Sequence, residues 1–202
     1  MTPSDLVAAT LPVVTAFERL DVSYYIGGSV ASSAHGLPRT TLVVDLVADL
    51  KHAHVAPLVE QLQAAYYVDA DMIYDAIARR SSFNVIHLET MLKVDVFILK
   101  QEPYDQTAFR RAQAKHPLLP QQGAFETRFV LASAEDVVLH KLLWYRMGGE
   151  VADRQWTDVL GVLKVQGVAI DLTYMKHWAD DLDVADLLDR ALHEAGLHAP
   201  GA

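Results

Sequence analysis

Ile26-Gly27-Gly28-Ser29, followed by Pro38-Arg39-Thr40-Thr41-Leu42-Val43-Val44-Asp45-Leu46, is the stretch whose reading decides the fold. A short apolar run, Tyr24 to Ile26, ends in two glycines and a serine. Small residues from Val30 to His35 read as a short helix, and a Gly-Leu-Pro-Arg turn leads into a second apolar run, Leu42 to Ala48. That run carries one acid, Asp45. A carboxylate inside a buried-looking strand is costly to keep without a partner. A glycine pair ahead of a helix start lets backbone N–H groups approach an anion closely. Together these features point to phosphates and a metal ion.

In sequence order, Gly27, Gly28, Ser29, Arg39, Thr41 and Asp45 resemble the nucleotidyltransferase superfamily with the polymerase-beta-type fold. Within it they are most similar to the minimal nucleotidyltransferase and AbiE-type toxin branches. The family pattern is Gly-[Gly/Ser], a spacer, two acids one residue apart, and a third acid on a later strand. Val43 stands where the first acid of the pair belongs. Asp95, in Leu92-Lys93-Val94-Asp95-Val96-Phe97-Ile98, is the candidate third acid. The resemblance implies that Asp45 and Asp95 are catalytic acids that hold Mg2+ or Mn2+. It implies a nucleotide-binding role for Gly27, Gly28, Ser29, Arg39 and Thr41. It extends to Lys141, in Leu139-His140-Lys141-Leu142, as a nucleotide-phosphate ligand, and to Asp158, in Asp153-Arg154-Gln155-Trp156-Thr157-Asp158, as an acid near it.

The totals narrow the function classes. The chain has 202 residues, just over half of them apolar (51%), enough for a real core. That size suits one large domain or one domain with a helical appendage. No run approaches the length of a membrane span, and the N-terminus lacks a basic-then-apolar signal pattern, so no membrane and a cytoplasmic location are expected. With no cysteine, neither a disulfide nor a thiolate metal site can form. The nine histidines show no ligand spacing. A net charge of −9 disfavours broad, non-specific binding to a nucleic-acid backbone.

Taken in order, the chain reads as α+β: a mixed sheet flanked by helices, then a C-terminal helical bundle. Residues 1–132 are expected to form the nucleotidyltransferase-like core and 133–202 the helical region packed on it. The helix from Asp5 to Leu20 has Ser4 as a cap, and Pro12 is expected to kink or split it. Strands are expected at Ser23 to Ile26, Leu42 to Ala48, Tyr66 to Val68, Ser82 to Leu88 and Leu92 to Ile98, with a last, edge strand at Glu126 to Leu131. Helices are expected at Val55 to Ala65, Asp69 to Arg80 and Tyr104 to Ala114. From Ser133 the period is helical: Ser133 with Asp136 resembles a capping box, and Gly148-Gly149 ends that helix. Three more helices are expected at Val151 to Val165, Leu172 to Asp181 and Val184 to Ala195, with Trp144, Trp156 and Trp178 at core spacing.

The chemistry admits two readings at each position. Strand alternation puts residues 43, 45, 47 and 49 on one face. Acids at 43 and 45, faced by Asp95, would form the carboxylate cluster of two-metal nucleotidyl transfer. Val43 removes one ligand, and Asp49 does not replace it, because four residues along a strand span about 13 Å. Metal affinity and turnover are therefore expected to be much reduced unless an acid from elsewhere fills in; the other reading is a fold retained after catalysis was lost. The Gly27-Gly28-Ser29 turn is either a phosphate contact or a tight strand-to-helix turn. Arg39 pairs with phosphate or with an acid, and Thr41 is structural or functional. Lys141 and Asp158 serve the nucleotide or form a structural ion pair between helices. The function expected is transfer of a nucleotide monophosphate from a nucleoside triphosphate to a hydroxyl on a protein or on the 3′ end of an RNA such as tRNA. The alternative is an inactive nucleotide- or partner-binding module, such as the antitoxin component of a toxin–antitoxin pair.

Overall fold

The computed structural model describes residues 3–41, 43–117 and 128–197. Leu42, residues 126–127 and His198 lie outside them, as does the side chain of Ser4. The architecture is α+β. Contacts divide the chain into two compact units: Met1–Gly27 with Thr40–Leu131, and Gly28–Arg39 with Ala132–Ala202.

The first unit is built on a mixed sheet. Among the described residues its strands are β1 (Tyr24–Ile26), β2 (Val43–Ala48), β3 (Tyr66–Tyr67), β4 (Ser82–His87), β5 (Lys93–Ile98), β6 (Gln113–Pro117) and β7 (Arg128–Leu131). Their order is β3-β4-β5-β2-β1-β7-β6. The β2–β5 and β1–β7 pairs are parallel, and the others are antiparallel. Strict alternation in β2, β4 and β5 buries Val44, Leu46 and Ala48, Phe83, Val85 and His87, and Val94, Val96 and Ile98 on one face. The helices α1 (Pro3–Arg19) and α4 (Ala70–Arg79) pack on this sheet, α3 (Val55–Leu62) packs against both, and they bury Phe17, Ile73 and Leu58. The opposite face carries Val43, Asp45 and Val47, then Lys93, Asp95 and Phe97, all half-buried.

Four local expectations need correction. The first helix starts at Pro3, so Ser4 lies inside it rather than capping it, and Pro at the first position has no N–H to leave unpaired. The helix also runs unbroken through Pro12, which sits on its exposed side. The helix expected from Tyr104 to Ala114 is α5 (Pro103–Arg111), and the next residues form β6. As a result β7 is not an edge strand: it lies between β1 and β6, and β6 takes the edge.

The second unit contains α2 (Gly28–His35), α6 (Ala134–Met147), α7 (Asp153–Gln166), α8 (Leu172–Asp181) and α9 (Ala185–Ala195). Helix α6 is its centre and packs against α2, α7, α8 and α9. It is accordingly buried nearly all round, from Val137 to Tyr145. Ser133 caps it, accepting from Asp136 N at 3.2 Å and donating to the Asp136 carboxylate at 2.7 Å. Trp144 does not join this core: it is 52% exposed. Trp156 stacks on Tyr145 and carries the Arg190 guanidinium 3.8 Å above its ring.

Gly36 follows α2 where its backbone meets α7. A Cβ there would lie 2.7 Å from Val162 N and 2.9 Å from Gly161 C. Backbone cannot move aside as a flexible side chain can, so Gly36→Ala is expected to cost about 1–3 kcal/mol, the usual penalty of overpacking. Urea denaturation of the variant should show a lower midpoint at unchanged slope.

Among the described residues, no helix is long and apolar enough to cross a membrane.

Candidate functional site

In the first unit, the parallel register of β2 and β5 decides the geometry. Asp45 is the direct partner of Asp95, and Val43 is the direct partner of Lys93. Neighbouring strands lie about 4.8 Å apart and alternate residues share a face. The two candidate acids therefore sit side by side on the half-buried face. Like charges directly opposite on adjacent strands destabilise a sheet, so this placement calls for a cation. Lys93, two residues before Asp95 on the same face, supplies one: its Nζ lies 3.0 Å from Asp95 Oδ2. Asn84, on β4, flanks Asp95 from the other side. Asp49 is engaged by Lys51.

Gly27 and Thr41 carry structural duties in this unit. The Gly27 N–H donates to Asp45 O at 2.9 Å, extending the sheet ladder, and is spent there. The Thr41 hydroxyl donates to Val43 O at 2.9 Å and accepts from Val43 N at 3.3 Å, fixing the start of β2.

The residues fit one divalent ion better than two. Magnesium is held by one or two carboxylates together with substrate phosphates, and Asp45 with Asp95 provide two. A second ion requires a further acid on this face, and position 43 carries an isopropyl group. Among the described residues, no group of three or more His, Cys, Asp or Glu side chains is arranged to hold a metal.

In the second unit, Gly28 opens α2 at φ 53°, a left-handed conformation that glycine adopts without strain. Ser29 follows in the first turn of the helix. Arg39 donates from Nη2 to the Ser29 hydroxyl, and it grips Asp158 with both Nε and Nη2 at 2.8 Å. Lys141 Nζ reaches the same carboxylate at 2.7 Å and Gln155 Oε1 at 3.0 Å. The Ser32 hydroxyl adds a contact to Asp158 at 3.3 Å. Asp158 and Lys141 are 8% and 4% exposed. Burial pushes the Asp158 carboxyl up, but hydrogen bonds from Arg39 and Lys141, and their charges, outweigh it and hold the group below its ordinary value. Four residues singled out from the sequence, Ser29, Arg39, Lys141 and Asp158, thus form one cluster. Two cations share one carboxylate, and Arg39 remains a third exposed. Ser32, Gln155 and Lys93 escaped the sequence reading. Gln155 had a signal, since it lies one helical turn before Asp158.

The chain matches no family model and no curated protein. Solved structures do match. An antigenic nucleotidyltransferase-like protein from Paracoccidioides brasiliensis aligns with 92% of this chain and 90% of its own, at 18% identity and a TM-score of 0.56. The chain has a nucleotidyltransferase fold. The solution structure of the antibiotic-resistance factor ANT(2'')-Ia aligns over 96% of both chains, at 17% identity and a TM-score of 0.51. The same protein in complex with adenylyl-2''-tobramycin aligns with 94% of this chain and 99% of its own, at 11% identity and a TM-score of 0.51.

Proposed function

We propose that this protein binds a nucleoside triphosphate with Mg2+ or Mn2+ and transfers its nucleotide monophosphate to a hydroxyl acceptor with release of pyrophosphate, at a rate held down by Val43. The observation that carries the proposal is the pairing of Asp45 with Asp95 across adjacent parallel strands. Keeping two carboxylates there works against the sheet, which makes sense if a cation is part of the working state. When bound, the metal ion supplies charge neutralisation and Lewis acidity at the phosphates. The chain's own acids orient the phosphate end, and Asp95 takes the proton of the acceptor hydroxyl.

A protein side chain and the 3′ end of a tRNA are acceptors in keeping with the family resemblance. The structural neighbour bound to adenylyl-2''-tobramycin adds a small-molecule hydroxyl to the classes worth assaying. One observation favours a second reading. The ion pair of Lys93 with Asp95, beside Val43, also suits a non-catalytic nucleotide- or partner-binding module, including one member of a toxin–antitoxin pair.

Calorimetric titration with each nucleoside triphosphate and Mg2+ tests the proposal. Saturable binding is expected for the unaltered protein. It should weaken at least about tenfold in Asp45→Asn, since a carboxamide keeps the shape and loses the charge that holds the ion. Absence of binding by every triphosphate would overturn the nucleotide reading.

A further inference from the structure

We propose that Lys93, the counter-cation of Asp95, restricts the Asp45–Asp95 face to a single divalent ion. The inference deepens the nucleotide reading above and rests on it for its biological meaning. Four residues form a square on the half-buried face: Val43 and Asp45 on one strand, Lys93 and Asp95 directly beside them on the next. In a two-metal site the corner at 43 would carry an acid. Here that corner is apolar, and the corner beside it carries an ammonium. Lys93 Nζ lies 3.0 Å from the Asp95 carboxylate and offsets its charge. A divalent ion entering this square meets Lys93 as a positive neighbour.

Exposure makes the ion pair replaceable. The Lys93 side chain is 43% exposed and that of Asp95 21%. Ion pairs this open hold weakly, because water screens them and a long side chain must be immobilised. Lys93 therefore yields Asp95 to an arriving ion and, as a flexible point charge, turns toward phosphate instead. It disfavours a second ion by occupying the corner next to Val43. Sequence alone did not reveal this, because Lys93 becomes a neighbour of Val43 only through the β2–β5 register.

Direct titration with Mn2+, followed by electron paramagnetic resonance and without nucleotide, tests the inference. The unaltered chain should bind one Mn2+ weakly. Lys93→Gln should bind it about tenfold more tightly, because a unit charge about 6 Å from a divalent ion is worth roughly that factor even at the dielectric of water. Added salt should shrink the difference. Lys93→Arg keeps the charge and should match the unaltered protein. Val43→Asp combined with Lys93→Gln should take up a second Mn2+. Equal affinity in Lys93→Gln and the unaltered chain would overturn the inference, as would equal tightening in Lys93→Arg or two ions in the unaltered chain. Tightening in Lys93→Gln with no triphosphate bound in the calorimetry would sustain Lys93's role and remove the nucleotide reading alone.

Discussion

Asp158→Ala is expected to destabilise the protein by about 3–5 kcal/mol, the range found when one partner of a buried ion pair is removed. The size follows from what is left behind. Lys141 is 4% exposed, and Asp158 is its ionic partner at 2.7 Å. Arg39 loses a bidentate acceptor but is exposed enough to turn toward water, so most of the penalty falls on Lys141. Asp158→Asn should cost nearly as much, because the amide fills the space without the charge. Urea denaturation measures both. The dependence on pH gives a sharper check. The folded-state pKa of Asp158 lies below its ordinary value, so its stabilisation is complete above the unfolded pKa of about 3.9 and is lost as pH falls through the folded value. The stability gap between the unaltered protein and Asp158→Asn should be constant from about pH 5 to 8 and should narrow below about pH 4. A gap unchanged down to the acid unfolding limit would mean that Asp158 stabilises by shape and not by charge.

That cluster also shows which parts of the molecule were legible in the sequence. Alternation of apolar and polar residues is local, so it correctly put Asp45 on the face opposite Val44 and Leu46. The order of motif residues was equally readable. Register is not local. That Asp45 meets Asp95 rather than a neighbour two residues away depends on how two strands separated by the whole of α3, β3, α4 and β4 align, and the same alignment creates the Val43–Lys93 pair. Arg39 had two candidate partner classes, and its acid lies 119 residues away along the chain. β6 was missed because Gln113-Ala114-Lys115-His116-Pro117 has neither alternation nor β-branched residues; it is a strand only because β7 offers it an open edge. The exposure of Trp144 was hidden for the opposite reason. Polar and apolar residues are spread so evenly around helix α6 that its sequence marks no outward face.

Val43→Asp is expected to raise metal-dependent nucleotidyl transfer by about a hundredfold, on the scale at which one preorganised electrostatic group changes a rate. The new carboxylate would share a face with Asp45, two residues and about 7 Å along the strand, which places a third acid beside the existing pair. Three acids would suit two divalent ions, and a second ion, if held there, would lower the pKa of the attacking hydroxyl. The substitution is mild for the fold. Position 43 is half-buried at the start of β2, and losing a β-branched residue there should cost no more than about 1 kcal/mol. Lys93 limits the gain, because it is the direct neighbour of residue 43 and would pair with the added carboxylate. The increase should therefore be larger when Val43→Asp is combined with Lys93→Gln. Adding Asp45→Asn should abolish it, since only two acids would then remain for two ions. Transfer of α-labelled nucleotide at saturating Mg2+ measures all three. A Val43→Asp protein that folds, binds the triphosphate and transfers no faster would show that the limit lies outside the carboxylate face, and would favour a scaffold whose task is to bind a nucleotide or a partner.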